Sequence, residues 1–157
     1  MRGKSSYKKI EIEPDPKYNS TLVAKFINQI MRGGKKSKAL KIVYNAFEVA
    51  EKEIKKPALE IFETAVENAG PVLEVRSRRI GGATYQVPIE VKRNRKITMA
   101  MRWIVESARE KQGKSMDKFL AQELIDAYRN SGTAVQKKQN MIKLAEANRA
   151  FAHYARM

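Results

Sequence analysis

The spacing of apolar residues predicts helices over most of the chain. From residue 20 to 70, and again after residue 94, apolar side chains recur every three or four residues, the period of an amphipathic helix. Glycine or proline separates successive segments, as at Gly33-Gly34 and Gly113. The pattern predicts six helices: one capped by Asn19 or Ser20, one ending before Pro57, one from there to Gly70, and three over about 94–112, 115–129 and 133–151, the last capped by Thr133.

Between about residues 72 and 91 the period changes from near four to two. Tyr85, Val87 and Ile89 fall on one side of this segment, and Gly81-Gly82 divides it into two halves. Paired glycines supply the positive φ angles of a tight β-turn. The chain is therefore predicted to be an all-α bundle of about six helices with one protruding β-hairpin. Because two strands alone are marginally stable in water, we expect the hairpin to need a partner to be fully ordered.

Composition narrows the possible functions. The 157 residues include 32 Lys and Arg against 17 Asp and Glu, a net charge of +15, with 43% apolar residues for a core. We expect a basic extension over 1–13 and one helical domain over 14–157. The absence of cysteine and the single histidine exclude disulfides, thiolate zinc sites and histidine clusters. No window approaches the roughly 18 apolar residues of a membrane span. We expect no metal, cofactor, membrane or small-molecule substrate.

Sequences that superficially match catalytic motifs do not hold up. Gly113-Lys114-Ser115 resembles the end of a phosphate-binding loop, but Ala108 stands where the first glycine belongs and a helix precedes it. Ser115 and Lys118 fit S-x-x-K without the accompanying motifs, so Ser115 is better read as a helix cap. His153 lies without a serine or carboxylate constellation, which favours a surface or contact role. The chain is predicted not to be an enzyme, and a phosphotransferase is disfavoured.

The basic residues are clustered, which indicates a polyanionic partner. Arg76, Arg78, Arg79 and Tyr85 combine guanidinium groups and an aromatic ring on an extended ribbon, which suits phosphate contacts and stacking on nucleic acid. A solvated edge strand protected by its charge is the alternative. The glycine-lysine loop after residue 32 fits a phosphate site or a plain helix stop. The predicted contacts with RNA are Arg2, Lys4, Lys8, Lys9, Lys25, Arg32, Lys35, Lys36, Arg76, Arg78, Arg79, Tyr85, Lys92, Arg93, Arg95, Lys96, Arg102, Lys114, Lys137, Lys138 and Arg149.

Several strings carry a resemblance to a known family. These are DPKYNS from Asp15, LVAKFIN from Leu22, the Gly34-Lys35-Lys36 loop, VLEVRSRR from Val72 with GGATYQVP from Gly81, MRWIV from Met101, and AEANRAFAHY from Ala145. Over residues 14–154 the chain resembles the bacterial-type family of small-subunit ribosomal protein seven. It departs from the family pattern at Lys92–Lys96, at residues 139–142 and at the carboxyl terminus.

The resemblance implies a structural role in the small ribosomal subunit. The expected partners are the 3′ major domain of small-subunit ribosomal RNA, exit-site transfer RNA, and neighbouring ribosomal proteins of the head and platform. The resemblance also implies a part in nucleating assembly of the subunit head, in the cytoplasm or, as the second choice, in an organelle. A DNA-binding helical module is the alternative function. Residues 1–9 are expected to become ordered only on RNA.

Overall fold

The fold is seen in a computed structural model that describes residues 11–156. Of the predicted contacts, Arg2, Lys4, Lys8 and Lys9 lie outside the described residues, and so does the predicted ordering of residues 1–9. The described chain forms six α-helices, one two-stranded sheet and a terminal 3-10 helix. Their bounds are α1 Thr21–Ile30, α2 Lys36–Ile54, α3 Ala58–Ala69, β1 Leu73–Ile80, β2 Ala83–Glu90, α4 Arg93–Glu110, α5 Met116–Tyr128, α6 Gly132–Ala147 and the 3-10 helix Arg149–Arg156. The prediction of a mostly helical bundle with one hairpin is confirmed.

The core is built around α5, which packs against α2, α3, α4 and α6. Phe62 of α3 lies at its centre, with its ring 4.8 Å from that of Phe26 in α1 and 5.3 Å from that of Phe47 in α2. All three phenylalanines are fully buried. The apolar stripes that the sequence predicts on α1, α2 and α3 therefore meet in one cluster, which fixes the relative positions of these helices.

Helix α6 begins earlier, and is capped differently, than the sequence predicts. We expected Thr133 to be the cap, but Ser131 holds that position and its hydroxyl donates to the Asp126 carbonyl. The Ala134 amide donates instead to Oε1 of Glu123 in α5, at 2.8 Å. Glu123 is completely buried, and its Oε2 lies 2.8 Å from Nζ of Lys111. A carboxylate from the preceding helix thus satisfies an amide that the helix's own first turn leaves unpaired.

The hairpin has the predicted turn, with Ile80 opposite Ala83 and Leu73 opposite Glu90. Gly81 and Gly82 have φ angles of 56° and 88°, values that only glycine adopts without strain. The turn itself is exposed. The rest of the hairpin is not isolated, because β1 packs against α6 and β2 against the terminal 3-10 helix.

The prediction of one helix from Thr133 to Phe151 is wrong. Helix α6 ends at Ala147, and Asn148 closes it by donating from its side-chain amide to the Leu144 carbonyl at 2.8 Å. Residues 149–156, called here the terminal segment, continue as a 3-10 helix. Its rings then reach the hairpin, since Phe151 and Tyr154 each lie 5.2 Å from Tyr85. Packing on the hairpin replaces the continuation of the α-helix.

None of the helices within residues 11–156 is long and apolar enough to cross a lipid bilayer.

Candidate nucleic-acid interface

One face of α4 carries a line of charged and polar residues. Arg95, Thr98, Arg102, Glu106 and Arg109 follow one another at intervals of three or four residues, so they lie on the same side of the helix. At 1.5 Å per residue the line is about 20 Å long. The opposite face supplies Ala100, Met101, Ile104 and Val105 to the core. The arginines therefore stand on a helix whose position the core determines.

Helix α1 lies alongside this face, and three adjoining depressions follow the groove between them. The first is lined by Lys25, Gln29 and Thr98, and the second by Gln29, Arg102 and Arg109, together with neighbours of mixed character. The third continues from Arg109 to the loop between α1 and α2. The first and second depressions share Gln29, and the second and third share Arg109, so the three adjoin one another along one path. We call its cations the basic strip: Lys25, Arg32, Lys35, Lys38, Arg102 and Arg109.

The third depression is a pocket of about 310 Å³ with a cationic rim. Its floor is apolar, with Ile30, Met31, Ala39, Ile42 and Met116, and its cations are Arg32, Lys35, Lys38 and Arg109. No carboxylate is among its lining residues. Four cations around an apolar floor can bind an anion without competition from acid groups of the pocket itself.

Arg109 is held within this pocket by the backbone of α1. Its Nη2 donates to the Ile30 carbonyl at 3.1 Å. Burial, and then the charge of Arg32, lower the pKa of Arg109, which still leaves the guanidinium charged at neutral pH. Two adjacent cations in a partly desolvated place repel each other. An anion bound between Arg32 and Arg109 relieves that repulsion.

Sequence reasoning missed Lys38 and Arg109 as site residues. Arg109 follows Arg102 by seven residues, two turns of helix, so extending the spacing of Arg95 and Arg102 along α4 finds it. Lys38 belongs to the basic run after residue 32, but only the folded chain shows that it lines the same pocket as Arg109.

Where the hairpin meets α4, two predicted contacts share one carboxylate. Glu74 of β1 is 3% exposed. Its Oε1 accepts from Nε of Arg76 at 2.7 Å and from Nε of Arg95 at 2.8 Å, and its Oε2 lies 2.6 Å from Nε of Arg95. The alternating pattern of β1 indicates which residues share a side of the strand, but it does not reveal that Glu74 is buried between two arginines.

Two other predicted contacts of the hairpin are engaged by the terminal segment. Arg78 is half-buried, and its Nη1 donates to the Tyr154 carbonyl at 3.0 Å. Tyr85 packs between the rings of Phe151 and Tyr154. Arg79 remains exposed beside them. The terminal segment therefore supplies within the chain a packing partner of the kind that we expected the hairpin to need.

The remaining predicted contacts are dispersed. Lys96 forms an ion pair with Glu67, Lys137 one with Glu110 at 2.8 Å, and Lys138 donates to the Asn68 carbonyl at 2.8 Å. The structure does not bring Lys114 to the strip, because it lines a groove between α2 and α5. Arg149 lines another groove beside the hairpin base. Exposed positions are occupied by Lys36, Lys92 and Arg93.

The chemistry open to this surface is charge neutralisation and hydrogen bonding. Within residues 11–156 no group of three or more histidine, aspartate or glutamate side chains is placed to hold a metal ion. Arginine and lysine side chains on rigid helices can donate to phosphate oxygens, and both release counterions when a nucleic acid binds.

Comparison with known proteins gives one consistent result. Residues 1–149 match the family described as ribosomal protein S7p/S5e. Three similar proteins are each named small ribosomal subunit protein uS7. That of a Roseiflexus species is 62% identical over 143 residues, 91% of each chain. That of Thermotoga maritima is 56% identical over 154 residues, 98% of this chain and 99% of its own. That of Chloroflexus aurantiacus is 54% identical over the whole of both chains.

Proposed function

Because the chain belongs to the ribosomal protein S7p/S5e family, whose members are structural and not enzymatic, we propose that it binds the 3′ major domain of small-subunit ribosomal RNA and helps to nucleate assembly of the subunit head. Its role as a structural ribosomal protein follows from the family. The RNA domain, the order of assembly and the contacting residues are the proposal.

The observation that carries the proposal is the basic strip. Six cations follow a groove between two helices, and Glu106 is the one carboxylate among the residues that line its three depressions. Phosphates of an RNA backbone that enters the groove displace counterions, which favours binding at low salt. The helices hold the cations at fixed separations, so RNA segments that repel each other are held in one arrangement.

Ten of the predicted RNA contacts fall into two groups. The first has Lys25, Arg32, Lys35 and Arg102 in the strip, and Lys36, Lys92 and Arg93 exposed at the starts of α2 and α4. The second has Arg76 and Arg79 on the hairpin, and Arg95 of α4, which shares Glu74 with Arg76. We propose that the first group neutralises the main RNA segment and that the hairpin reaches a second one.

Further partners are proposed from the family alone. They are exit-site transfer RNA and ribosomal proteins of the head and platform, in a ribosome of the cytoplasm or, as the second choice, of an organelle. The large groove of about 650 Å³ beside the hairpin base, lined by Leu73, Ile89 and Arg149 among others, offers an apolar area on the side of the molecule that carries the terminal segment.

Footprinting tests the RNA-binding proposal directly. The purified protein is bound to a transcript of the 3′ major domain, and backbone cleavage by hydroxyl radicals is compared with and without protein. We expect protection in discrete segments of that domain, with half-saturation that is unaffected by excess duplex DNA. Equal competition by duplex DNA would favour the DNA-binding alternative, and uniform weak protection would reject a specific site.

A further inference from the structure

Glu74 is a carboxylate in the middle of a surface that otherwise attracts anions. By charge alone it weakens the binding of RNA phosphates. Its side chain is nonetheless buried, and it accepts hydrogen bonds from one guanidinium group of β1 and one of α4. We propose that Glu74 is a positioning residue that holds Arg76 and Arg95 together as a preformed clamp for one RNA phosphate. This inference rests on the proposed function and deepens it.

The geometry fixes how each guanidinium is oriented. Arg76 uses Nε and Nη2 on Glu74 Oε1, at 2.7 and 2.6 Å, and Arg95 uses Nε on both carboxylate oxygens. Within residues 11–156, no hydrogen bond engages Nη1 of Arg76 or either Nη of Arg95. Because one oxygen serves both arginines, the remaining N–H groups lie close together and can reach oxygens of a single phosphate.

Exposure supports the same reading. The Glu74 side chain is 4% exposed, whereas those of Arg76 and Arg95 are 54% and 52% exposed. The carboxylate is therefore hidden beneath the two cations, and RNA meets the guanidinium groups first. Ordering two long side chains in advance removes an entropic cost that binding otherwise carries.

The clamp also joins two different elements of the fold. Arg76 lies on the two-stranded hairpin, and Arg95 in the first turn of α4, whose far side is in the core. The shared carboxylate ties the hairpin to the helix bundle. Binding of one phosphate by both arginines then depends on the position of the hairpin relative to α4, and not on the charge of either element alone.

The test is a substitution in which the loss of charge and the loss of positioning have opposite effects on RNA affinity. Glu74→Gln removes one negative charge, which by itself tightens RNA binding. The glutamine carbonyl can still accept from both arginines, but it carries no charge to offset their repulsion, and its amide replaces the Oε2 that accepts from Arg95, so it holds the pair more weakly. We expect the affinity for the 3′ major domain transcript to fall about five- to tenfold at roughly 0.15 M salt.

Glu67→Gln is the matched control. Glu67 is exposed and forms an ion pair with Lys96 in the first turns of α4. The same charge change there releases a cation and leaves the clamp intact, so affinity is expected to stay the same or to rise about twofold. If Glu74→Gln tightens binding as Glu67→Gln does, the positioning role is rejected while the proposed function stands.

A second background separates positioning from a general structural effect. In an Arg76→Ala, Arg95→Ala protein, adding Glu74→Gln is expected to change RNA affinity less than twofold, since there is nothing left to position. If Glu74→Gln lowers RNA affinity about five- to tenfold in that background as well, the effect comes from the fold and the proposal is overturned.

If Glu74→Gln does not fold, Arg95→Lys replaces it, because lysine keeps the charge and lacks the planar fork. We expect Arg95→Lys to lower RNA affinity about as much as is expected of Glu74→Gln. Wild-type affinity in this variant would overturn the proposed clamp. A wild-type protein that fails to bind the transcript would instead count against the proposed function.

Discussion

The basic strip and the hairpin both present cations, but they hold them by different means. The cations of the strip stand on helices whose opposite faces form the core, or on the loop joining two such helices. Those of the hairpin are held by polar contacts, namely Glu74 of the same strand beneath Arg76 and the Tyr154 carbonyl beside Arg78. The strip therefore inherits its rigidity from apolar packing, whereas the arginines of the hairpin depend on a few hydrogen bonds and on the three aromatic rings beside them.

This difference predicts which substitutions lower RNA affinity and which reduce the order of the hairpin. Replacing cations of the strip is expected to reduce RNA affinity and to leave the fold unchanged. Changes to the terminal segment are expected to loosen the hairpin first, and to alter binding only through it.

The largest effect is expected from the strip. A protein with Arg32→Ala, Lys35→Ala and Arg102→Ala should bind the 3′ major domain transcript on the order of a hundredfold more weakly, and the slope of log affinity against log salt should fall by about 2 to 3. Filter binding at several salt concentrations measures both. Its melting temperature should match that of the wild type, and a loss of affinity with an unchanged salt slope would contradict direct phosphate contacts.

The next largest effect is expected from the terminal segment, which packs on the hairpin. A chain that ends at Asn148 loses the rings of Phe151 and Tyr154 from Tyr85. We expect the free energy for local opening of β1 and β2 to fall by about 2 kcal/mol, seen as faster amide exchange there and unchanged exchange in α4. Leu144→Ala is the control, because Leu144 is half exposed. The truncated protein should lose more in assembly of subunits than in binding to naked RNA. Equal exchange in the two proteins would mean that the hairpin is ordered without the terminal segment.

A smaller difference separates two neighbouring arginines. Arg78→Lys replaces the guanidinium that donates to the Tyr154 carbonyl by a shorter side chain with a single ammonium group, while Arg79→Lys changes an exposed side chain. The first is expected to cost about 1 kcal/mol in protection of the terminal segment, and the second close to nothing. Hydrogen exchange monitored by mass spectrometry compares them. The order of the two variants, more than the size of either effect, decides whether Arg78 has the structural role described above.

The smallest expected effect compares Lys38, which sequence reasoning missed as a contact, with Lys114, which it selected. Lys38→Ala should weaken RNA binding about threefold, because Lys38 lines the cationic pocket. Lys114→Ala should change it less, because Lys114 lies in the groove between α2 and α5. Reversed results would move the RNA path from α1 and α4 to the α2 and α5 side.

Much of the fold was predictable because its signals are local. The hairpin turn follows from two adjacent glycines, and the stripes of α1 to α3 from residues three or four apart. The family was also predictable, and the comparisons confirm it, because its strings are contiguous.

The failures share a cause in contacts between distant residues. Glu123 caps α6 from another helix, so the cap was assigned to Thr133 instead. The last helix was extended to Phe151, since nothing nearby in sequence shows that its aromatic rings pack on the hairpin. The RNA contact of Lys114 stays a prediction, but its place in the groove between α2 and α5 was not predictable, because charge clusters in sequence do not reveal which face they occupy.

The terminal segment has a consequence for the protein as it is being made. Arg78 and the carbonyl that it binds are separated by 76 residues. At bacterial rates of about 5 to 20 residues per second, the hairpin leaves the synthesising ribosome roughly 4 to 15 s before its cover does. During that interval both of its strands are open edges, each able to pair with another nascent chain. The arginines and Pro88 of the hairpin would serve in those seconds as protection against aggregation, before they serve any partner.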